Sequence, residues 1–269
     1  YPRCRDSEQL HLQISGIWEP STLDKTLPEN LTLRENSDNA LAQSRDDWPS
    51  PIPNEYFGQV LFDRLEYTRT DEQQNIAVWD MQAWYGGDYH RLVFKSEGEN
   101  TQNDGMPTDL ERAELLYGYL VSSFWSIQFG VGTKGELSSD ADMENYAVVS
   151  YQGLAPYWFE MENSLRINED GDMQFINETE YDWQLSQVSY LQPRLEVVAN
   201  LTDSEKYDRQ SGLSNIRIGL RYRHEIVREV APYVGVYYSK ALGNTADALK
   251  AEGKSTSETG VVLGARIWF

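Results

Sequence analysis

The chain has 269 residues, 25% of them charged, with a formal net charge of -20 and a mean hydropathy of -0.61. No run of ~18 apolar residues occurs, which excludes a membrane-spanning helix, and the acidic balance argues against nucleic acid and for cations as partners. Aromatic residues reach 12%, with 19 Gly and 10 Pro for turns, so a closed β-barrel is the membrane solution left open, because its alternating strands escape hydropathy averages.

Residues 1–57 read as a polar extension. Ser, Asn and Asp crowd the stretch Asn36–Arg45, and Pro49, Pro51 and Pro53 bar a central strand or a helix interior. A short helix fits around Asp38–Arg45. The segment is expected to be disordered or to fold partly into a barrel mouth as a plug.

From Gly58 onward, segments of about ten residues alternate in polarity, as membrane-spanning strands must. The pattern predicts twelve antiparallel strands at 59–69, 76–85, 89–97, 110–120, 124–132, 145–152, 157–166, 173–183, 188–200, 212–226, 231–240 and 259–269. Short connections at Gly86–Asp88, Val121–Ser123, Gly153–Pro156, Gln184–Gln187 and Val227–Val230 alternate with a second set that includes the longer ones. That phase places both ends of the barrel on the periplasmic side of a bacterial outer membrane. The fold class is therefore all-β, a transmembrane antiparallel barrel over 58–269. A soluble β-sandwich is the competing reading, since it also alternates.

Individual strands carry the alternation. Trp125, Ile127, Phe129 and Val131 oppose Ser126, Gln128 and Gly130; Tyr157, Phe159, Met161 and Leu165 oppose Trp158, Glu160, Glu162 and Arg166. In the final segment Val261, Leu263, Ala265 and Ile267 alternate up to Trp268 and Phe269, a pair resembling the recognition signal of the outer-membrane assembly machinery. Asp63 alone breaks the pattern, falling on the lipid register with Leu61, Leu65 and Tyr67. Either a bulge re-aims it or it lies at the periplasmic edge.

The polar face gives a lumen rich in both signs. Its acids include Glu66, Asp80, Glu97, Glu114, Glu160, Glu162, Glu178, Glu180, Asp182, Glu196 and Glu225. Its bases include Arg64, Arg91, Lys95, Arg112, Arg166, Arg194, Arg217, Arg221, Arg223 and Arg266. Near-neutrality predicts pairing, with Arg194, Arg221 and Arg223 meeting carboxylates such as Glu160, Glu178 and Glu180, and a lumen narrower than a porin's. The pairs could simply brace the wall, or line a narrow polar path for a small ion. Glu178, Glu180 and Asp182 stack along one strand and Arg217, Arg221 and Arg223 along another. Facing each other across the barrel, they would set up a transverse field. The candidate ion path is thus Glu66, Asp80, Glu97, Glu160, Glu162, Glu178, Glu180, Asp182, Arg194, Arg217, Arg221 and Arg223. The outer connections are acid-rich, as at Asp71, Glu72, Asp104, Asp140 and Asp142, which suits cations or the divalent ions that crosslink lipopolysaccharide.

Catalysis has little support, because His11, His90 and His224 sit in no recognisable nucleophile motif. Met106, Met143 and Met173 fall in or beside outer loops and are weak candidates for a thioether metal site.

Several stretches resemble the copper resistance protein B family of outer-membrane proteins. They include Phe62-Asp-Arg-Leu-Glu-Tyr67, Trp84-Tyr-Gly-Gly-Asp-Tyr89, Gln152-Gly-Leu-Ala-Pro-Tyr-Trp-Phe-Glu160, Leu191-Gln-Pro-Arg-Leu-Glu196, Leu220-Arg-Tyr-Arg-His-Glu225 and Ala231-Pro-Tyr-Val-Gly235, in family order over about 48–269. The resemblance implies copper tolerance at the outer membrane, with copper ion moved outward or sequestered. It implies a periplasmic multicopper oxidase as partner; the barrel pattern, the acidic outer connections and the terminal aromatic pair add outer-membrane lipid, lipopolysaccharide and the barrel-assembly machinery. Members usually carry a Met/His-rich N-terminal segment proposed to bind copper; residues 1–57 here hold no Met and one His. A non-conducting docking partner of the oxidase and a generic small-solute porin are the alternatives.

Overall fold

A computed structural model describes residues 56–101, 108–137, 143–204, 206–207 and 209–269. The polar extension, apart from its last two residues, and Met106 lie outside the described residues, as do Asp104, Asp140 and Asp142 of the outer loops.

The strands are β1 (Phe57–Thr70), β2 (Asn75–Gly86), β3 (His90–Thr101), β4 (Thr108–Ser122), β5 (Trp125–Glu136), β6 (Glu144–Ala155) and β7 (Phe159–Asn168). They continue as β8 (Met173–Tyr181), β9 (Trp183–Ser186), β10 (Ser189–Asn200), β11 (Gly212–His224), β12 (Val230–Ala241) and β13 (Ser257–Trp268). Every neighbouring pair is antiparallel, and β13 pairs with β1, so the sheet closes. The barrel has twelve staves, because β8 and β9 both pair with β10 and are parted only at Asp182. The expected turn at Gln184–Gln187 therefore shrinks to residues 187–188. The outward alternation of Trp183 and Leu185 carries the stave on to Ser186.

The molecule is inverted relative to a soluble protein. Lys95 and Glu114 are 1% and 2% exposed, while Val131 and Leu263 are 64% and 65% exposed. A sandwich in water would bury the second pair and solvate the first; lipid outside and a polar lumen inside account for both. Tyr85, Tyr89, Phe124, Trp183 and Phe269 stand exposed at the end that carries the short turns, as aromatic side chains do at a membrane interface. Phe269 pairs with Val60 through both backbone groups and packs its ring near Phe62, while Trp268 Nε1 donates to Arg228 O at 2.7 Å. The Phe269 contacts close the seam between the first and last staves, and the Trp268 bond ties the last stave to the turn between β11 and β12.

Three expectations need correction. Residues 156–158 form a 3-10 turn rather than strand, with Tyr157 and Trp158 at φ of 68° and 67°, so the alternation of the seventh stave begins at Phe159. The Pro at 156, which cannot donate to a ladder, starts that turn. The outer connection 242–256 holds a helix, α1 (Gly243–Ala251), which the sequence pattern does not announce. It packs on β11, with Ala246 buried and Ser214 Oγ hydrogen-bonded to Thr245 Oγ1 at 3.0 Å. Glu225 lies past the end of β11, in the turn before β12, rather than in the lumen wall.

β1 contains a bulge. On the β2 side Phe62 opposes Met81 and Arg64 opposes Asp80, which leaves Asp63 unopposed. The inward phase flips there: Gln59, which accepts from Trp84 Nε1, is followed by Leu61 and Asp63 inside, and then by Arg64 and Glu66. The bulge thus re-aims Asp63 into the lumen and takes Leu61 off the lipid face.

Candidate functional site

Two kinds of charged assembly fill the lumen. The first kind braces the wall and occurs twice. Glu114, Gly132 and Tyr146 lie opposite one another in one row across β4, β5 and β6. The tyrosine lies over the glycine, where a Cβ would come within 2.7 Å of its ring, and its Oη donates to Glu114 at 2.9 Å. Arg166 on β7 contacts the same Glu114 oxygen at 2.8 Å, with its guanidinium 5.0 Å from the Tyr146 ring. The second copy is Glu66, Gly264 and Tyr233 in one row across β1, β13 and β12, completed by Arg221 on β11. Its distances match: Tyr233 Oη to Glu66 3.0 Å, Arg221 Nη2 to Glu66 2.7 Å, and Arg221 to the Tyr233 ring 5.5 Å. The strand order and the direction along the barrel are both reversed between the copies. Each glycine is needed because the ring occupies its side-chain space.

The second assembly crosses the lumen. Arg64, Asp80, Glu97 and Arg112 stand opposite one another in a single row over β1 to β4. Arg64 pairs with Asp80 at 3.2 Å and with Glu97. Arg112 reaches Glu97 at 2.9 Å and Asp80 at 3.6 Å on its own side, and Glu178 at 3.5 Å and Glu162 at 4.0 Å on the far wall. There Arg194 clamps Glu178 and Glu180, each at 2.6 Å, and Lys95 reaches across to Glu162 at 2.5 Å. Four cations and five carboxylates thus form one connected network through the barrel's waist, all with side chains at most 17% exposed. We call this layer the septum. Its charges are desolvated, and each survives burial because several opposite charges surround it.

Among the described residues, a cavity lies on each side of the septum. The one toward the short turns has a volume of about 510 Å³, and Asp63, Asp88, Glu160, Arg91 and Arg266 line it beyond the septum. The outer one is smaller, about 110 Å³, and holds Glu99, Glu111, Glu196, Glu258 and Arg217. Between β10 and β11, Arg209 pairs with Glu144 at the start of β6. Glu144 also pairs with Lys134 at 3.5 Å and accepts from Asn168 at 3.0 Å.

The candidate ion-path residues separate accordingly. Asp80, Glu97, Glu162, Glu178, Glu180 and Arg194 meet in the septum, whereas Glu66 and Arg221 belong to a brace. Arg223 pairs with Asp182 at 2.6 Å beside the break in the eighth stave. Glu160 makes no ion pair among the described residues and faces the larger cavity. Among the described residues Arg217 has no carboxylate within ion-pair distance, and it lies 5.4 Å from the Tyr237 ring. The expected pairing with lumen carboxylates holds for all three arginines: Arg194 takes Glu178 and Glu180, Arg221 takes Glu66 and Arg223 takes Asp182, while Glu160 takes none of them. The transverse field does not form either. β8 and β11 are separated only by β10, so their acidic and basic stacks share one wall, and Arg194 neutralises the acids in between. The hub residues Arg64, Lys95 and Arg112, legible as lumen residues, are not singled out by sequence, because their reach across the barrel depends on register.

Metal ligands do not assemble: among the described residues no three His, Cys, Asp or Glu side chains come together as a metal cluster. Met143 is half-buried before β6 and Met173 is exposed at the start of β8. One pairing was not anticipated. Across β10 and β11, Ser189 Oγ lies 3.0 Å from His224 Nδ1 and accepts from Tyr222 Oη at 3.2 Å. Among the described residues no carboxylate orients this imidazole, so the pair lacks the third member of a nucleophile-activating chain.

Solved structures with similar folds include the NanC porin (12% identity, 78% of this chain and 99% of that one, TM-score 0.49), the KdgM porin (10%, 78% and 98%, 0.47) and outer membrane phospholipase A from Escherichia coli (12%, 78% and 92%, 0.46). Among curated proteins, copper resistance protein B of Escherichia coli is 38% identical over 210 residues, covering 78% of this chain and 69% of that protein. A copper resistance protein B homolog of Pseudomonas syringae pv. tomato is 32% identical over 216 residues, covering 80% and 70%. The family model for the copper resistance protein B precursor matches residues 56–269, which is the whole barrel. The chain is an outer-membrane β-barrel belonging to the copper resistance protein B family.

Proposed function

We propose that the barrel gives copper ions a gated route across the outer membrane, entering from the periplasmic cavity and held back by the septum. The observation that carries this reading is the septum itself. A porin leaves a continuous aqueous path, whereas here Arg112 spans the waist between Asp80 and Glu97 on one wall and Glu162 and Glu178 on the other. Carboxylates on both sides suit hydrated copper(II), which accepts oxygen donors, and repel anions. The lack of a donor cluster among the described residues favours passage over tight storage within the barrel.

The test is copper(II) flux into proteoliposomes, with zinc(II) as control, alongside planar-bilayer recording of the same protein. The expected result is slow, saturable copper movement with no large steady conductance. A large, steady, porin-like conductance in the unmodified protein would overturn the reading in favour of a generic pore.

A further inference from the structure

The septum row Arg64–Asp80–Glu97–Arg112 is flanked at each end by a β-bulge, and each bulge inserts an acidic residue immediately before the terminal arginine. Asp63 is the unopposed residue of β1. On β4, Glu97 opposes Arg112 and Gly98 opposes Leu110, which leaves Glu111 unopposed in the same way. In a regular strand an acid beside an inward arginine points to lipid. Here both members of each pair point inward. Asp63 lines the periplasmic cavity and Glu111 the outer one. β1 and β4 run in opposite directions, so the two insertions lie on opposite faces of the septum.

Neither insertion is needed by the wall. With Asp63 removed, Phe62 and Arg64 become consecutive and still oppose Met81 and Asp80, and Leu61 and Gln59 keep their inward phase. With Glu111 removed, Leu110 and Arg112 still oppose Gly98 and Glu97. The one lasting effect of each extra residue is a carboxylate inside the lumen. Asp63 lies 3.1 Å from Arg266, so it cancels a cation in the wider cavity. Glu111 has no ion-pair partner among the described residues and joins Glu99 and Glu196, which have none either, in the narrower one. Bulges are a recognised way of aiming one side chain at a functional site.

We infer that Asp63 and Glu111 are specificity-determining residues: each gives one face of the arginine-bearing septum a carboxylate approach, which admits small cations and turns anions away. The inference builds on the proposed cation route, but its readout needs no copper. Lipid vesicles holding the protein are placed in a potassium chloride gradient, and a potential-sensitive dye reports the sign and size of the diffusion potential. This is done in the unmodified barrel and in Arg194→Ala, where the septum is weakened. Both should develop a cation-selective potential. Deleting Glu111 should reduce the potassium-to-chloride permeability ratio several-fold, and deleting Asp63 should do so to a lesser degree because Arg266 partly offsets it. Glu111→Gln and Asp63→Asn, which keep the bulges, should reproduce the loss if a deletion fails to fold. An unchanged ratio in all four variants overturns the inference, and so does a protein that adds no ion leak in either background. Failure of copper flux with the ratio behaving as described would defeat the copper route alone.

Discussion

The braces and the septum are built from the same residue types, yet they differ in reach. In each brace one glutamate takes a tyrosine from two strands along the wall and an arginine from three strands along, so the assembly is closed within one sector. In the septum Arg112 spreads over four carboxylates drawn from both walls, with contacts from 2.9 to 4.0 Å. A guanidinium that serves one carboxylate at 2.7 or 2.8 Å holds strands together. One shared among four at longer range ties the two walls together across the lumen. Ion pairing by itself therefore says nothing about role; what decides is whether the partners belong to one wall.

The largest effect should come from breaking this difference directly. Arg112→Ala removes the hub and leaves four buried carboxylates short of a cation, a change of the kind that costs about 3–5 kcal/mol per broken buried pair. The cavities should merge, and single-channel conductance should rise by about tenfold or more, on the scale that separates a plugged barrel from an open one. Glu66→Gln, in a brace, should lower thermal stability in detergent by a few degrees while leaving conductance at its unmodified level. If Glu66→Gln opened the channel as fully as Arg112→Ala, the division into braces and septum would collapse.

A smaller effect sharpens the comparison from the glycine side. Gly132→Ala places a methyl group 2.7 Å from the Tyr146 ring and 2.8 Å from Glu114 Cγ, and the ring cannot swing away without losing its hydrogen bond to that glutamate. Overpacking of this sort costs about 1–3 kcal/mol. Gly118→Ala, on the same lumen face, meets nothing nearer than 3.6 Å and should be close to neutral. Equal melting temperatures for the two variants would show that the tyrosine is not wedged over the glycine.

Period-two alternation made the staves legible, and the phase of short and long connections gave their number. These signals are local, and so is the break at Asp63, which left a bulge and a position at the periplasmic edge both open. What stayed hidden depends on register. That Arg112 reaches Glu178 follows from where β4 and β8 sit around a ring of twelve, and no spacing in the chain records it. The second bulge left a weaker trace. Glu111 precedes an inward arginine as Asp63 does, but it falls where a strand start was placed, at 110, so the double-inward pair was lost in a boundary. The helix Gly243–Ala251 was missed for a simpler reason. Its single buried residue, Ala246, gives no amphipathic period to read.

The smallest effect separates the outer connections from the barrel that carries them. In the 201–211 connection the Ser211 backbone N–H donates to Asp203 Oδ1 at 2.6 Å and holds that carboxyl below its ordinary value. Asp172, in the neighbouring turn, is likewise held low by the Ser204 hydroxyl and by the Asn168 amide, the latter at 3.0 Å. A carboxyl whose value is depressed in the folded state stabilises it at pH above the unfolded value, about 4, and that contribution fades as pH falls through the folded one. Both groups are solvent-exposed, so the loss is local. As pH is lowered from 7 to about 3, amide exchange at Ser211, corrected for its intrinsic pH dependence, should accelerate. Exchange at Val148, inside the β4–β7 wall, should hold, because its protection comes from ladder hydrogen bonds and not from a titrating carboxyl. If protection at Ser211 were unchanged at the lower pH, Asp203 would not be what ties the connection down, and the Arg209–Glu144 pair would have to hold it alone.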